Sequence, residues 1–298
     1  MSTRWTTADM PDQTGRTAVV TGANSGLGLE TCKALAARGA TVVMAVRDEQ
    51  RGRAARDRLA GSLEVALLDL SDLDSVRSFA AGLVDRGTPV DLLVNNAGIG
   101  MAPLTRTAQG FESQFGVNHL AHFALTGLLM PVLRHGSRVV TVSSEADRHG
   151  SLDFDDLNAE RSDRAGACYQ RSKVANVLFG LELDRRARAA GVPVVSVVAH
   201  PGLASTNLPS SASGGPASLV LRFANAFLAQ SAERGAWSQL HGATAPGVEG
   251  GQFFGPGGRT GMKGHPVPLR PGPEVTDPET ARRLWEVSTD LTGVEYAF

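Results

Sequence analysis

Tyr169 and Lys173 stand four residues apart in Tyr169-Gln170-Arg171-Ser172-Lys173. On a helix that spacing puts both side chains on one face, one turn apart. A phenol has a reference pKa near ~10 and exchanges protons poorly at neutral pH unless a nearby cation favours the phenolate. An ammonium one turn away supplies that cation, so the pair reads as one acid/base unit. Composition adds to this reading, because lysine occurs only at 33, 173 and 263 while twenty-six arginines carry the remaining basic charge. Lys173 is a selected ammonium in a chain that otherwise writes positive charge as arginine.

The elements that must place this pair follow an alternating rhythm. Thr17 to Thr21 is an apolar, β-branched run that stops at glycine, and Leu27, Cys32, Leu35 and Ala36 then recur at near-helical spacing. Between them lies Thr21-Gly22-Ala23-Asn24-Ser25-Gly26-Leu27-Gly28. Its glycines let backbone turn tightly and approach a pyrophosphate at the positive end of a helix. Gly22, Asn24, Ser25, Gly26, Leu27 and Gly28 are therefore candidate cofactor-binding residues. The second strand, Thr41 to Val46, ends in Val46-Arg47, about 20 positions past the glycines, where an acid would bind the ribose hydroxyls of NAD. With Val46 there and Arg47 next, the site favours a 2′-phosphate and hence NADP(H) over NAD(H). Asp48 is either a ribose ligand or the cap of the helix expected from Glu49 to Leu59.

Leu63 to Leu68 is the third strand, with Asp69 and Leu70 expected to close over adenine, and a helix follows over 72–84. Val90 to Val94 is the fourth, running into Asn95-Asn96-Ala97-Gly98, of which Asn95, Ala97 and Gly98 are cofactor candidates. The apolar segment Phe111 to Leu133 should form a helix carrying Asn118. His119 and His122 lie on it with no carboxylate or thiol at ligand spacing, so they read as packing residues and no metal is expected. Arg138 to Ser144 is the fifth strand, ending in Ser143 and Ser144. The polar connection to Tyr169 contains the acids of 152–157, a catalytic cluster or a solvated loop. Pro193 to Val198 is the sixth strand, and Pro201, Gly202 and Thr206 behind it can wrap the nicotinamide end of a cofactor.

From 203 to 240 the rhythm breaks, and Leu219, Val220, Phe223, Phe227 and Leu228 mark an apolar insert: a lid over the site or a fixed helix. A last short strand over 252–254 and a terminal helix from Pro278 to Leu291 complete the chain. The fold class expected is α/β, a single Rossmann domain spanning 1–298 whose doubly wound parallel sheet carries helices on both faces.

Thr-Gly-x-x-x-Gly-x-Gly, Asn-Asn-Ala-Gly, Asn118, the paired serines, Tyr-x-x-Ser-Lys and Pro-Gly-x-x-x-Thr fall in one order. Over residues 15 to about 255 the chain thereby resembles the short-chain dehydrogenases/reductases. The resemblance implies a catalytic tetrad of Asn118, Ser144, Tyr169 and Lys173, with Ser144 preferred to Ser143. It also implies that Tyr169 is the proton donor to a carbonyl and that Lys173 binds the nicotinamide ribose and tunes Tyr169. Asn118 would position a water that links Lys173 to solvent. The long 144–169 connection, Ala-Val-Arg-Asp after the second strand and the stretch 282–288 are similar to the retinol dehydrogenase, WW-domain oxidoreductase and protochlorophyllide reductase branch. The expected reaction is hydride transfer between NADP(H) and a carbonyl or secondary alcohol of a medium-to-large apolar substrate. The alternatives are reduction of an activated C=C bond and non-catalytic NADP(H) sensing.

A net charge of -1 and a pI near neutrality offer no basic stripe for nucleic acid. The partner expected is a small molecule, with a homodimer or homotetramer formed through the helices of Asn118 and Tyr169 implied by the resemblance. Two cysteines, Cys32 and Cys168, are too few for a disulfide framework and suit a reducing compartment. The polar first sixteen residues carry no signal or anchor, so a cytoplasmic, membrane-free protein is expected.

Overall fold

The computed structural model describes residues 4–101, 103–146, 150–161, 164–202 and 231–298. Strands β1 (Thr17–Thr21), β2 (Thr41–Val46), β3 (Ser62–Leu67), β4 (Val90–Asn95), β5 (Leu133–Val142), β6 (Val194–Ala199), β7 (Phe253–Pro256) and β8 (Pro266–Leu269) form one sheet in the order β3-β2-β1-β4-β5-β6-β7-β8. All neighbours are parallel except β7 and β8. The strand order reverses between β1 and β4, and the crevice above that reversal is where a doubly wound sheet binds ligand.

Period-two alternation assigns the two faces. Val19, Val43, Leu93 and Val139 point into one core with helix α3 (Leu73–Asp85), while Ala18, Val20, Val42, Leu92 and Val140 point into the other with α1 (Gly26–Ala37) and α2 (Glu49–Arg56). Asp48 caps α2, accepting from the Arg51 backbone N at 3.0 Å. The expected apolar helix is present as α4, Ser113–Val132. It is not regular: Gly116–Leu120 is a π turn, closed by Ala121 N–H bonding to the Gly116 carbonyl. Its length and mean hydropathy of 1.2 would suffice to cross a membrane, but 83% of it is buried inside the molecule, which makes it a core helix.

α5 (Ala165–Ala189) carries Tyr169 and Lys173, as expected. After it come α6 (Ala232–Gly235), α7 (Trp237–Thr244) and α8 (Pro278–Thr292). Residues 203–230, with Thr206 and the apolar positions of the insert, lie outside the described residues. The end of the insert is fixed: Ala236 and Leu240 are buried in the sheet core, so 232–240 belongs to the scaffold and not to a lid.

α8 packs on α5 and covers α4. Trp285 packs edge-to-face on Phe123 and tilted against Phe179, with ring centroids 5.1 and 6.0 Å apart, and Ser288 Oγ meets His119 Nε2 at 2.8 Å. Beyond α8, the Tyr296 hydroxyl donates to the Phe123 carbonyl at 2.7 Å. With the cover that α3 and α5 also give, every residue of α4 from Ser113 to Gly127 is buried within the single chain. α8 thus covers part of the α4 and α5 surfaces.

Candidate active site

The glycine turn owes its shape to two left-handed residues, Gly22 (φ 67°) and Gly26 (φ 55°). Gly28 is needed for space, since a Cβ there would run into the Gly22 carbonyl and come within 2.7 Å of Asn96 Nδ2. Ser25 is the N-cap of α1 but makes no side-chain cap bond, and the first turn of α1 holds no acid. The amides at that helix end therefore face the crevice and suit a phosphate. Asn24 is half-buried and Leu27 lies in the same turn. Arg47 is exposed just past the end of β2, while Val46 is buried.

Two cofactor candidates look the other way. The Asn95 side chain is fully buried and donates to Thr126 Oγ1 of α4 at 3.0 Å. Leu70 packs into the core between the sheet and α3, leaving only its backbone for a ligand. Asp69 is half-buried and accepts from the Ser71 amide and hydroxyl at 2.9 and 2.6 Å. Asn96, absent from the sequence-based set, holds the glycine turn: its Nδ2 donates to the Thr21 carbonyl at 2.8 Å. The Asn96 and Ala97 amides both donate to Thr21 Oγ1 at 2.9 Å. Gln239 of α7 donates in turn to Asn96 Oδ1 (3.1 Å) and Thr31 Oγ1 (2.6 Å).

Three of the proposed tetrad, Asn118, Tyr169 and Lys173, meet around the segment that follows β4. Lys173 is buried, with Nζ 5.8 Å from the Tyr169 ring centroid and donating to the Val142 carbonyl at 3.2 Å. Gly98 lies beside it, where a Cβ would stand 3.4 Å from Nζ and 3.2 Å from Asn118 Oδ1. The serines just past β5 separate cleanly. Ser143 is buried and its hydroxyl donates to the Lys173 carbonyl at 2.9 Å, whereas Ser144 is half-buried and accepts from the Ala146 amide at 3.3 Å. Ser143 builds the site, and Ser144 is placed to meet a ligand.

Asn118 is anchored through its side chain. Its Nδ2 donates to the Ile99 carbonyl and to Ser172 Oγ, both at 2.9 Å, and its Oδ1 accepts from the Ile99 amide at 2.8 Å. The side chain pins the segment after β4 to α5, beside Lys173. At the end of β6, Gly202 (φ 66°) packs so closely on the Met262 backbone that a Cβ would stand 2.8 Å from its carbonyl carbon, and Pro201 is half-buried beside it. The Gly202 amide donates to His200 Nδ1 at 3.1 Å, which turns Nε2 toward Glu145 Oε2 at 3.4 Å.

The remaining chemistry candidates are structural. His119 and His122 are fully buried, and burial is the main cause that lowers them to about 3 and about 4. Both rings are neutral packing and hydrogen-bonding groups. Cys32 and Cys168 are both buried, and burial pushes the Cys32 thiol well up. Of the acids in 152–157, Asp153 and Asp155 are exposed, and Asp156 folds the loop by accepting from the Glu160 and Arg161 amides at 2.7 and 3.1 Å.

Such an arrangement, a phosphate-ready turn after β1 and a tyrosine, lysine and serine beyond the ends of the neighbouring β4 and β5, defines a Rossmann-type oxidoreductase. Comparison with known proteins agrees. The short chain dehydrogenase profile matches residues 16–214. Human retinol dehydrogenase 12 is 39% identical over 291 residues, covering 95% of this chain and 88% of that protein. Mouse polyprenol dehydrogenase is 40% identical over 301 residues, covering 95% and 86%. The crystal structure of an uncharacterised protein from Mycobacterium paratuberculosis superposes with a TM-score of 0.86 at 44% identity, covering 99% of this chain and all of that one. The chain belongs to the short-chain dehydrogenase family, in its retinol dehydrogenase-like branch. It is accordingly a nicotinamide-dependent oxidoreductase acting on alcohols and carbonyls.

Proposed function

We propose that the protein is an NADP(H)-dependent oxidoreductase interconverting an alcohol and its aldehyde or ketone on a medium-to-large apolar substrate. The observation carrying this reading is the placement of Tyr169 one turn before buried Lys173 on α5, whose ammonium binds the Val142 carbonyl at the end of β5, with the half-buried Ser144 two residues further on. When bound, the nicotinamide supplies or accepts hydride. Tyr169 gives its phenol proton to the substrate oxygen in reduction and takes it back in oxidation. Ser144 orients that oxygen. Lys173 places a cation by the ring and favours the phenolate, while Ser143 and Asn176 fix the backbone around it through the Lys173 and Val142 carbonyls. Arg47 would meet the adenosine 2′-phosphate.

Two observations support an apolar substrate. Met101 and Met262 are exposed, and they come from segments touching the start of α5 and Gly202. The relatives named above act, by their names, on retinol and polyprenol, long hydrocarbon alcohols.

The test follows NADPH absorbance across a homologous series of aldehydes and ketones. kcat/KM should rise about fourfold per added methylene until the pocket is filled, from ~0.8 kcal/mol each. Tyr169→Phe should lose about 100-fold or more in kcat while still binding NADPH. No turnover with any member, or near-normal turnover in the variant, would overturn the proposal.

A further inference from the structure

His122 lies one turn beyond Asn118 on α4, fully buried, where the π turn gives way to regular helix. Its two ring nitrogens face different elements. Nδ1 is 2.9 Å from the Asn118 carbonyl oxygen, and Nε2 is 2.9 Å from Thr21 Oγ1 at the end of β1. A carbonyl oxygen only accepts, so Nδ1 carries the ring proton. Nε2 is then an acceptor and takes the Thr21 hydroxyl proton, for which the Val94 carbonyl, at 3.4 Å, is the longer alternative. Thr21 Oγ1 fills its lone pairs with the Asn96 and Ala97 amides.

The bonds therefore run in one direction through the site. Gln239 donates to Asn96, Asn96 to Thr21, Thr21 to His122 and His122 to Asn118, whose amide holds Ile99 and Ser172. In this series the imidazole joins the strand that opens the glycine turn to the helix that carries Asn118. A leucine would fill the volume but leave a hydroxyl and a carbonyl without their partner. A lysine could donate to both but accept from neither.

We propose that His122 is a positioning residue that fixes the catalytic helix against the cofactor turn, acting through Thr21 and Asn118 without touching substrate or cofactor. This assignment rests on the reaction proposed above. It requires the Nδ1–H tautomer, and it requires that breaking the link alter turnover beyond any loss of stability.

The experiment has two parts. In the unmodified, fully folded protein, two-bond 15N–1H correlation of the histidine rings should show His122 protonated at Nδ1 and bare at Nε2; the reverse tautomer overturns the proposal. In His122→Leu, kcat per NADPH-binding site should fall about 10-fold, the equivalent of one net hydrogen bond, with substrate KM little changed. His122→Gln, which keeps a donor and an acceptor, should recover to within about threefold of the unmodified enzyme. A His122→Leu enzyme with a lower melting temperature but unchanged kcat per site would make the residue merely structural and overturn the proposal. If His122→Leu does not fold, His122→Gln and the tautomer decide. Failure of the reaction itself is distinguishable, because the unmodified protein would then show no turnover. The tautomer and an NADPH fluorescence titration, expected about 10-fold weaker in His122→Leu, would still test the link.

Discussion

Gly100 lies flat against the ring of Tyr169: a methyl group there would stand 3.0 Å from Cε2 and 3.3 Å from Cδ2. The Gly100 backbone thus walls the phenol on that side. Gly100→Ala should therefore push the ring by a few tenths of an ångström while leaving the turn intact. Because misplacing a reacting group by ~1 Å costs about 100-fold, kcat should drop several-fold to about 10-fold with NADPH affinity unchanged. Unaltered kcat in a stopped-flow single-turnover assay would show that the ring does not need this wall.

The paired serines should separate by phenotype. Ser144→Ala removes the hydroxyl placed for the substrate oxygen and should reduce kcat by about 100-fold, at little cost in stability. Ser143→Ala removes a buried bond to the Lys173 carbonyl and should cost about 1 kcal/mol in urea unfolding, with a smaller kinetic effect. Reversed phenotypes would exchange the assignments.

Arg47→Ala should weaken NADPH by about 10- to 150-fold, the value of one charge-assisted bond, and leave NADH nearly unchanged. Isothermal titration with both nucleotides checks this. Equal affinity for the two in the unmodified protein would remove the NADP(H) preference.

Stability should depend on pH through the buried imidazoles. In the folded chain His119 and His122 titrate at about 3 and about 4, below their ordinary 6.5, because burial penalises the charged ring. The unfolded chain binds those protons first as pH falls. Their contribution is complete above about 6.5 and declines as pH drops from there toward 4 and 3. At pH 5 the loss is about 2 kcal/mol per ring. Urea midpoints at pH 7 and pH 5 measure it; identical midpoints would contradict neutral burial of both rings.

Much of this was legible in the sequence because the motifs sit at strand ends, where hydrophobic runs and glycine breaks mark position. β8 was not, since Pro266 and Pro268 make it a poor strand candidate; it survives as an edge strand paired only to β7. Nor could adjacent asparagines be told apart. Asn95 ends β4 facing α4, and Asn96 is turned toward the glycine turn; only the sheet's two packed faces reveal which is which. The Gly100 contact and the His122 link join residues far apart in sequence and leave no local pattern. The two serines could be ranked only by analogy until their hydroxyl partners were seen.

The cover that α8 provides also has an order in time. At a synthesis rate of about 5 to 20 residues per second, the residues between α4 and Trp285 take on the order of 10 to 30 seconds to emerge. Throughout that interval the apolar face around Phe123 lacks Trp285 and Tyr296, which close over it in the finished protein. A nascent chain thus leaves one face of its apolar core helix open well before the residues that cover it exist. Chaperone dependence during synthesis, and intolerance of C-terminal truncation before Tyr296, follow from where the protein keeps the last piece of its core.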